Sequence, residues 1–281
     1  MFKNLASKPE IRKLIRKALE EDIGRGDWTS EYLLKGEERC RAVIRAKEGG
    51  VLAGIEVCQL VFKSLDKGIV FEPKKRDGEE FKKGEVLAVI EGKAKAILSA
   101  ERVALNFLQR MCGIATLTRK FVEKTRGTKA KIMDTRKTTP LLRILEKYAV
   151  KVGGGKNHRF GLFDMILIKD NHLKLVKGIE EALARVERRN KKGLPVEIEV
   201  KNLKEFLIAQ KVGAELIMLD NMSLKEIREA VKRKRPGVKL EVSGGVNLKN
   251  VRAIAKTGVD YISVGSLTHS VKAIDISLDI L

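Results

Sequence analysis

A chain of 281 residues with 43% hydrophobic and 34% charged residues suits one large domain or two smaller ones, and it is too apolar for a disordered chain. The formal net charge of +21 raises the question of a polyanion partner. Basic residues are spread along almost every segment, mostly near glutamates, and aromatics make up only 5%, so a solvated basic surface is expected rather than a nucleic-acid-binding protein.

The longest basic run, Lys232-Arg233-Lys234-Arg235, closes a helical stretch, where cations suit the helix dipole. Gln59, Gln109 and Gln210 are the only glutamines among abundant Lys and Glu, a bias found in thermophile proteins. Cys40, Cys58 and Cys112 stand apart with no Cys-x-x-Cys pair, which points to a reducing, cytoplasmic setting. No apolar run approaches the ~20 residues needed to span a bilayer, and the N-terminal apolar residues are interleaved with charges, so neither a membrane nor a secretory role is expected.

Ser7-Lys8-Pro9-Glu10 predicts a capping box opening a helix, with Ile11, Leu14, Ile15, Ala18 and Leu19 as its buried face. Gly24-Arg25-Gly26-Asp27 ends it. Short β-prone runs follow at Ala42–Ala46, Ile69–Phe71 and Val86–Ile90, separated by Gly49-Gly50, Asp77-Gly78, Lys83-Gly84 and Glu91-Gly92. With a helix at Glu56–Leu65 they predict a small α+β domain on an antiparallel sheet. A long helix is expected over Ser99–Met111, with Gly113 marking a junction. The domains are then 1–112 and 113–281, the last few residues packing back on the first.

Beyond Lys131 the pattern alternates. Strands are predicted at Lys131–Asp134, Met165–Lys169, Val196–Val200, Leu216–Leu219, Leu240–Ser243 and Tyr261–Val264. Helices are predicted at Pro140–Lys151, Leu175–Asn190, Leu203–Val212, Leu224–Arg233 and Leu248–Thr257. This order implies parallel βαβ units that close, or nearly close, a barrel; an open doubly wound sheet is the competing topology.

Polar or glycine-rich residues sit at the C-terminal end of each predicted barrel strand: Thr135-Arg136-Lys137, Lys169-Asp170, Glu199, Asp220-Asn221, Ser243-Gly244-Gly245 and Gly265-Ser266. In a parallel barrel these ends share the face where sites are built. Glu197 and Glu199, two apart in a strand, point to the same side, which the aliphatic Val196, Ile198 and Val200 assign to the barrel interior. Buried carboxylates need partners, which Arg136, Lys137 and Lys169 can supply. Glycines after the last two strands let backbone N–H groups approach a phosphate. A metal site built from His172, His269 and a carboxylate has no supporting spacing, and Cys112 is a small buried residue rather than a nucleophile.

Taken together, Ser-Ala-Glu-Arg102-Val-Ala-Leu-Asn, Gly113-Ile-Ala-Thr, Asp134-Thr-Arg-Lys-Thr, Gly-Gly-Gly-Lys-Asn-His158-Arg159, Ile168-Lys169-Asp-Asn-His, Glu197-Ile-Glu199-Val, Leu219-Asp220-Asn and Val242-Ser-Gly-Gly resemble the quinolinate phosphoribosyltransferase family, over nearly the whole chain and in order. Glu21-Asp22-Ile-Gly-Arg-Gly-Asp27-Trp-Thr-Ser resembles its N-terminal signature. Cys112, where Ser often stands, and Val152 before the glycines depart from the pattern without touching a proposed site group.

The resemblance implies an α/β protein: an N-terminal α/β sandwich and a seven-stranded open TIM-like barrel, in a homodimer or hexamer with Arg102 reaching a neighbour's site. It implies the Mg²⁺-dependent joining of quinolinate to 5-phosphoribosyl 1-diphosphate in NAD biosynthesis, with loss of CO₂; a molybdenum-associated paralogue with another acceptor is the alternative. Lys137, Lys169, Glu199 and Asp220 are then the catalytic residues. Quinolinate is expected among Arg102, Thr135, Arg136, Lys137, His158, Arg159 and Lys169. The phosphoribosyl group is expected at Glu199, Asp220, Ser243, Gly244, Gly245, Val264, Gly265 and Ser266, with Mg²⁺ at Glu199 and Asp220, directly or through water.

Overall fold

In the computed structural model, which describes residues 5–281, the chain divides into two compact units. One holds residues up to 117 together with 140–153 and 271–281; the other holds 118–139 and 154–270.

A 3₁₀ turn at Leu5–Ser7 precedes helix α1, Pro9–Ile23. The expected capping box does not form: Ser7 belongs to the turn, Lys8 is the N-cap without a side-chain cap, and Pro9 starts the helix at the position where a missing N–H costs nothing. Ile11, Ile15 and Leu19 form the buried stripe, with Leu14 and Ala18 half-buried beside it. The Asp27 carboxylate caps a short helix α2, Trp28–Leu33, by accepting from the Ser30 N–H at 3.1 Å. The sequence gives no hint of α2, because Trp28, Tyr32 and Leu33 stay exposed and leave no buried periodicity.

Strands β1 (Arg39–Ala46) and β2 (Gly50–Val51), helix α3 (Ile55–Leu65), and strands β3 (Val70–Pro73), β4 (Glu80–Phe81) and β5 (Val86–Lys93) follow. Helix α3 starts behind Gly54, which has no side chain to cap it; Asp77 does so from a distant loop, accepting from Gly54 N–H at 2.7 Å and Ile55 N–H at 3.1 Å. Helix α4 then runs from Ala94 to Lys124, well past the expected end at Met111. Gly113 does not break it. A Cβ there would collide with the Lys272 carbonyl oxygen and meet Ala273 Cα at 3.2 Å, so the glycine serves close packing against the C-terminal segment.

The second half contributes β6 (Lys131–Met133), α5 (Arg143–Val152), β7 (Ile166–Ile168), α6 (Asp170–Leu173), α7 (Ile179–Arg189), β8 (Val196–Val200), α8 (Leu203–Lys211), β9 (Leu216–Asp220), α9 (Leu224–Arg233), β10 (Lys239–Ser243), α10 (Val251–Ala255), β11 (Tyr261–Ser263), α11 (Ser266–His269) and β12 (Ile276–Ile280). In the first unit β12-β1-β5-β3 form an antiparallel sheet, with Ala42 opposite Ile280 and Ile90 opposite both Ala42 and Phe71.

In the second unit six strands form a parallel sheet in the order β6-β11-β10-β9-β8-β7. A parallel bridge between Met133 and Lys156 adds a seventh short segment beyond β6, and β7 remains the opposite edge, which makes the barrel an open one. Ile198, Val200, Ile217, Leu219, Leu240, Val242 and Ile262 alternate along these strands and are at most 2% exposed. They form the apolar layer under the helices, joined by the fully buried Phe206 of α8. Phe206→Ala should destabilise the protein by about 3–5 kcal/mol, read from the denaturant midpoint; a loss within experimental error would mean this layer does not hold the unit together.

Candidate active site

The side chains on the other face of the parallel sheet open into a cavity of about 880 Å³. Its wall carries Thr135, Arg136 and Lys137 after β6; His158 and Arg159 before β7; Lys169 after β7; Glu199 on β8; Asp220 on β9; Ser243, Gly244 and Gly245 from β10; and Gly265 and Ser266 after β11. Thirteen of the residues proposed for the site, drawn from six strands, are therefore neighbours in space.

Two proposed residues do not line it. Val264 is buried, and its N–H donates to the Met133 carbonyl at 2.9 Å, because the strand edge it extends is paired with β6. Arg102 lies in the first unit on α4, with its side chain 59% exposed and 3.8 Å from Glu101. Leu167, Met218, Asn221, Glu241, Val246, Ser263 and His269 complete the lining. The strand alternation that placed Glu197 and Glu199 inside also places Glu241 there, two before Ser243; it passed unnoticed as one acid in an aliphatic strand.

Asp134, buried at the end of β6, organises the loop that carries His158. Its carboxylate accepts from the His158 N–H at 2.9 Å and from the Asn157 side-chain amide. His158 Nε2 then lies 2.9 Å from Glu197 Oε2 and 3.6 Å from Glu241 Oε2. The Ser263 hydroxyl donates to Glu241 Oε1. Burial, and then the neighbouring Glu197, push the Glu241 carboxyl up to about 8, so it keeps its proton at neutral pH.

Arg159 donates from Nη1 to the Met165 carbonyl at 3.1 Å. Its pKa is lowered, first by burial and next by the like charge of Arg136. Two guanidinium groups are thus held close enough to repel each other at one wall of the cavity, an arrangement that an anion between them would relieve. Across the cavity Lys169 Nζ lies 3.2 Å from Glu199 Oε2. Register aligns Glu199 with Met218, Met218 with Glu241, and Asp220 with Ser243, so the Glu199 and Asp220 carboxylates lie on adjacent strands near their ends. They are hard oxygen donors open to one cavity, a pair that fits a Mg²⁺ ion also bound by phosphate oxygens.

The glycine turn after β10 is dictated by its surroundings. Gly244 has φ of +89°, and a Cβ there would collide with the Asn221 side chain and lie 2.9 Å from its backbone nitrogen. Asn221, itself at φ of +54°, donates its N–H to the Ser243 carbonyl at 2.9 Å and its side-chain amide to Asp220 at 2.9 Å. Among the described residues the Gly244 and Gly245 N–H groups donate to no protein acceptor. Lys137 lies over Gly265, where a Cβ would meet its Cδ at 3.1 Å.

Residues 27–112 match the family described as Quinolinate phosphoribosyl transferase, N-terminal domain, and residues 114–279 match its C-terminal domain. The chain is 45% identical to the probable nicotinate-nucleotide pyrophosphorylase [carboxylating] of Bacillus subtilis (strain 168), over 96% of this chain and 93% of that protein. It is 43% identical to the nicotinate-nucleotide pyrophosphorylase [carboxylating] of Mycobacterium leprae, over 96% of each. The crystal structure of NadC from Streptococcus pyogenes superimposes with a TM-score of 0.93 at 39% identity, covering 97% of each chain. The nicotinate-nucleotide pyrophosphorylase of Francisella tularensis does so with a TM-score of 0.93 at 40% identity, covering 99% of each. With both of its domain families matched along almost its full length, and with the cavity's residues arranged as they are, the chain belongs to the quinolinate phosphoribosyltransferase family.

Proposed function

We propose that this protein joins quinolinate to 5-phosphoribosyl 1-diphosphate, releasing diphosphate and CO₂ and leaving nicotinate mononucleotide, a step of NAD biosynthesis. The observation that carries the reading is the pair of mutually repelling arginines, Arg136 and Arg159, facing two carboxylates and a glycine turn in one cavity. A pyridine dicarboxylate brings two negative charges, and planar guanidinium groups bind carboxylates bidentately.

Quinolinate lies against Thr135, Arg136, Arg159 and Lys169, its ring nitrogen facing C1 of the ribose. The 5-phosphate rests on the N–H groups of Gly244, Gly245, Gly265 and Ser266, beside Ser243. Glu199 and Asp220 take the ribose hydroxyls and stabilise the positive character that C1 gains as diphosphate departs. Lys137 neutralises the leaving diphosphate; Glu199 and Asp220 would hold a Mg²⁺ ion, directly or through water, which would supply further neutralisation of the diphosphate charge. The new nitrogen–carbon bond makes the pyridine cationic. When the adjacent carboxylate leaves as CO₂, its bonding electrons stay on the ring carbon, stabilised by the ring cation until a proton replaces them. The protein binds, orients and neutralises; no activated nucleophile is needed.

Arg102, outside the cavity wall, is assigned to a neighbouring subunit's site in a homodimer or a larger assembly of dimers. No helix among the described residues is long and apolar enough to cross a membrane. The three free cysteines support a reducing, cytoplasmic setting.

The test is direct. The protein, mixed with quinolinate, 5-phosphoribosyl 1-diphosphate and Mg²⁺, should form nicotinate mononucleotide and CO₂ in equal amounts. No product at saturating substrate removes the proposal, and turnover only with an acceptor carrying one or no carboxylate would favour the paralogue reading.

A further inference from the structure

Of the protein's histidines only His158 is buried, and both of its ring nitrogens are engaged within the fold. Nδ1 accepts the Arg159 N–H at 2.7 Å. A nitrogen that accepts carries no proton, so the ring's proton sits on Nε2 and is donated to Glu197 Oε2 at 2.9 Å. The imidazole is therefore neutral. Behind it stand Glu197 and Glu241, 0% and 1% exposed. Burial and the neighbouring Glu197 raise the Glu241 carboxyl, so Glu241 keeps its proton at neutral pH. The groups facing Glu241 are Glu197 from β8, His158 from the loop before β7 and Ser263 from β11. The hydroxyl of Ser263 donates to Oε1, which leaves Oε2 to hold the proton and offer it to Glu197, whose own Oε1 is buried without a partner.

We infer that His158 is a positioning residue and not a ligand of quinolinate: the Glu197–Glu241 pair and Ser263 lock its neutral ring, and the ring holds the Arg159 backbone so that the guanidinium stays at the cavity. The inference rests on the function proposed above, and it gives Glu241 and Ser263 a role. A neutral ring also adds no further cation beside Arg136 and Arg159; burial and then the Arg136 charge already lower the Arg159 pKa. The ligand-capable atoms of His158, Glu197 and Glu241 lie within 4.8 Å of one another, the spacing of a metal site. A bound cation would need the Nε2 lone pair, and that would move the ring proton to Nδ1, directly against the Arg159 N–H.

The experiment has two arms. In the wild-type protein, ¹⁵N-labelled histidine is followed by NMR. His158 should be the neutral Nε2–H tautomer at pH 7, both free and with quinolinate bound. An imidazolium at pH 7, or a proton moving to Nδ1 on binding, overturns the inference whatever the activity.

In the second arm Glu241 is varied and both substrates are titrated. Glu241→Ala should raise the KM for quinolinate by about tenfold or more, with the KM for the phosphoribosyl donor little changed. Glu241→Gln should recover most of that affinity, because its amide donates to Glu197 and accepts from Ser263. In the wild type, quinolinate affinity should weaken above a pH of about 8, where Glu241 ionises and no longer offers its proton to Glu197; Glu241→Gln should abolish that limb. A Gln variant as impaired as the Ala variant, an unaltered pH profile, or a bound metal lost with Glu241→Gln would each refute the inference. Failure of the wild type to turn over quinolinate would instead remove the function, with the tautomer still deciding the role of His158.

Discussion

Arg136→Ala should abolish measurable quinolinate binding while leaving the phosphoribosyl donor bound. Arg136 follows β6 at the cavity wall, near enough to Arg159 to depress that residue's pKa. A carboxylate bound between them gains charge-assisted hydrogen bonds from both sides. Removing one partner leaves the carboxylate, already stripped of water, short of donors, and such losses amount to about 2–5 kcal/mol. At about 1.4 kcal/mol per factor of ten, the dissociation constant for quinolinate should rise by at least about a hundredfold in calorimetry. In the proposed site the donor's 5-phosphate lies at β10 and β11 and its ribose at Glu199 and Asp220, while Arg136 is assigned to quinolinate, so the donor's affinity should fall much less. Unchanged quinolinate affinity would remove Arg136 from the site. Equal loss for both ligands would mean that the substitution disorganises the cavity as a whole.

Asp220→Asn should lower kcat by about a hundredfold to a thousandfold, with quinolinate affinity and melting temperature close to wild type. The change preserves shape. The Asn221 amide, which donates to Asp220 at 2.9 Å, keeps an acceptor. In the proposed mechanism, what disappears is one negative charge near the ribose carbon at the moment it becomes cationic, together with one oxygen that would hold Mg²⁺. Because that stabilisation exists chiefly in the transition state, the loss should appear in kcat and not in quinolinate binding. A kcat within about threefold of wild type would show that Asp220 does not act on the reacting carbon.

Glu241 adds a dependence of stability on pH. Its carboxyl is held at about 8 in the folded protein, against an ordinary value of 4.5. Between those values the folded chain keeps a proton that the unfolded chain has released, so this group's contribution to stability falls as pH rises through that window. The cost is the counterpart of placing the pair behind His158. A buried, hydrogen-bonded pair of acids is retained where it fixes the geometry of a site; Glu241 is part of the cavity lining and Glu197 lies against it, outside the apolar layer under the helices.

Much of the fold and of the site follows from local rules that act along the chain. Alternating Val, Ile and Leu placed all six parallel strands within a residue or two, because a strand buried on its outer face must repeat every second residue. The same alternation put Glu197 and Glu199 inside, and the parallel order gathered Arg136, Lys169, Glu199, Asp220 and Gly244 at one end. Tertiary structure alone decided the rest. The capping box was lost to a 3₁₀ turn, and Gly113, read as a junction, lies inside α4, where residues 272–273 approach it too closely for a side chain. Strand β12 pairs with β1 across more than two hundred residues of chain; the sequence led only to the expectation that the last residues pack back on the first domain, not to a strand or to its partner. The role of His158 is also a tertiary matter. Its sequence neighbours show only a histidine beside an arginine after a glycine run; the approach of Glu197, Glu241 and Ser263 from three separate strands decides what the ring packs against. Periodicity reports which face a residue takes, and the partner met on that face depends on how distant strands stack.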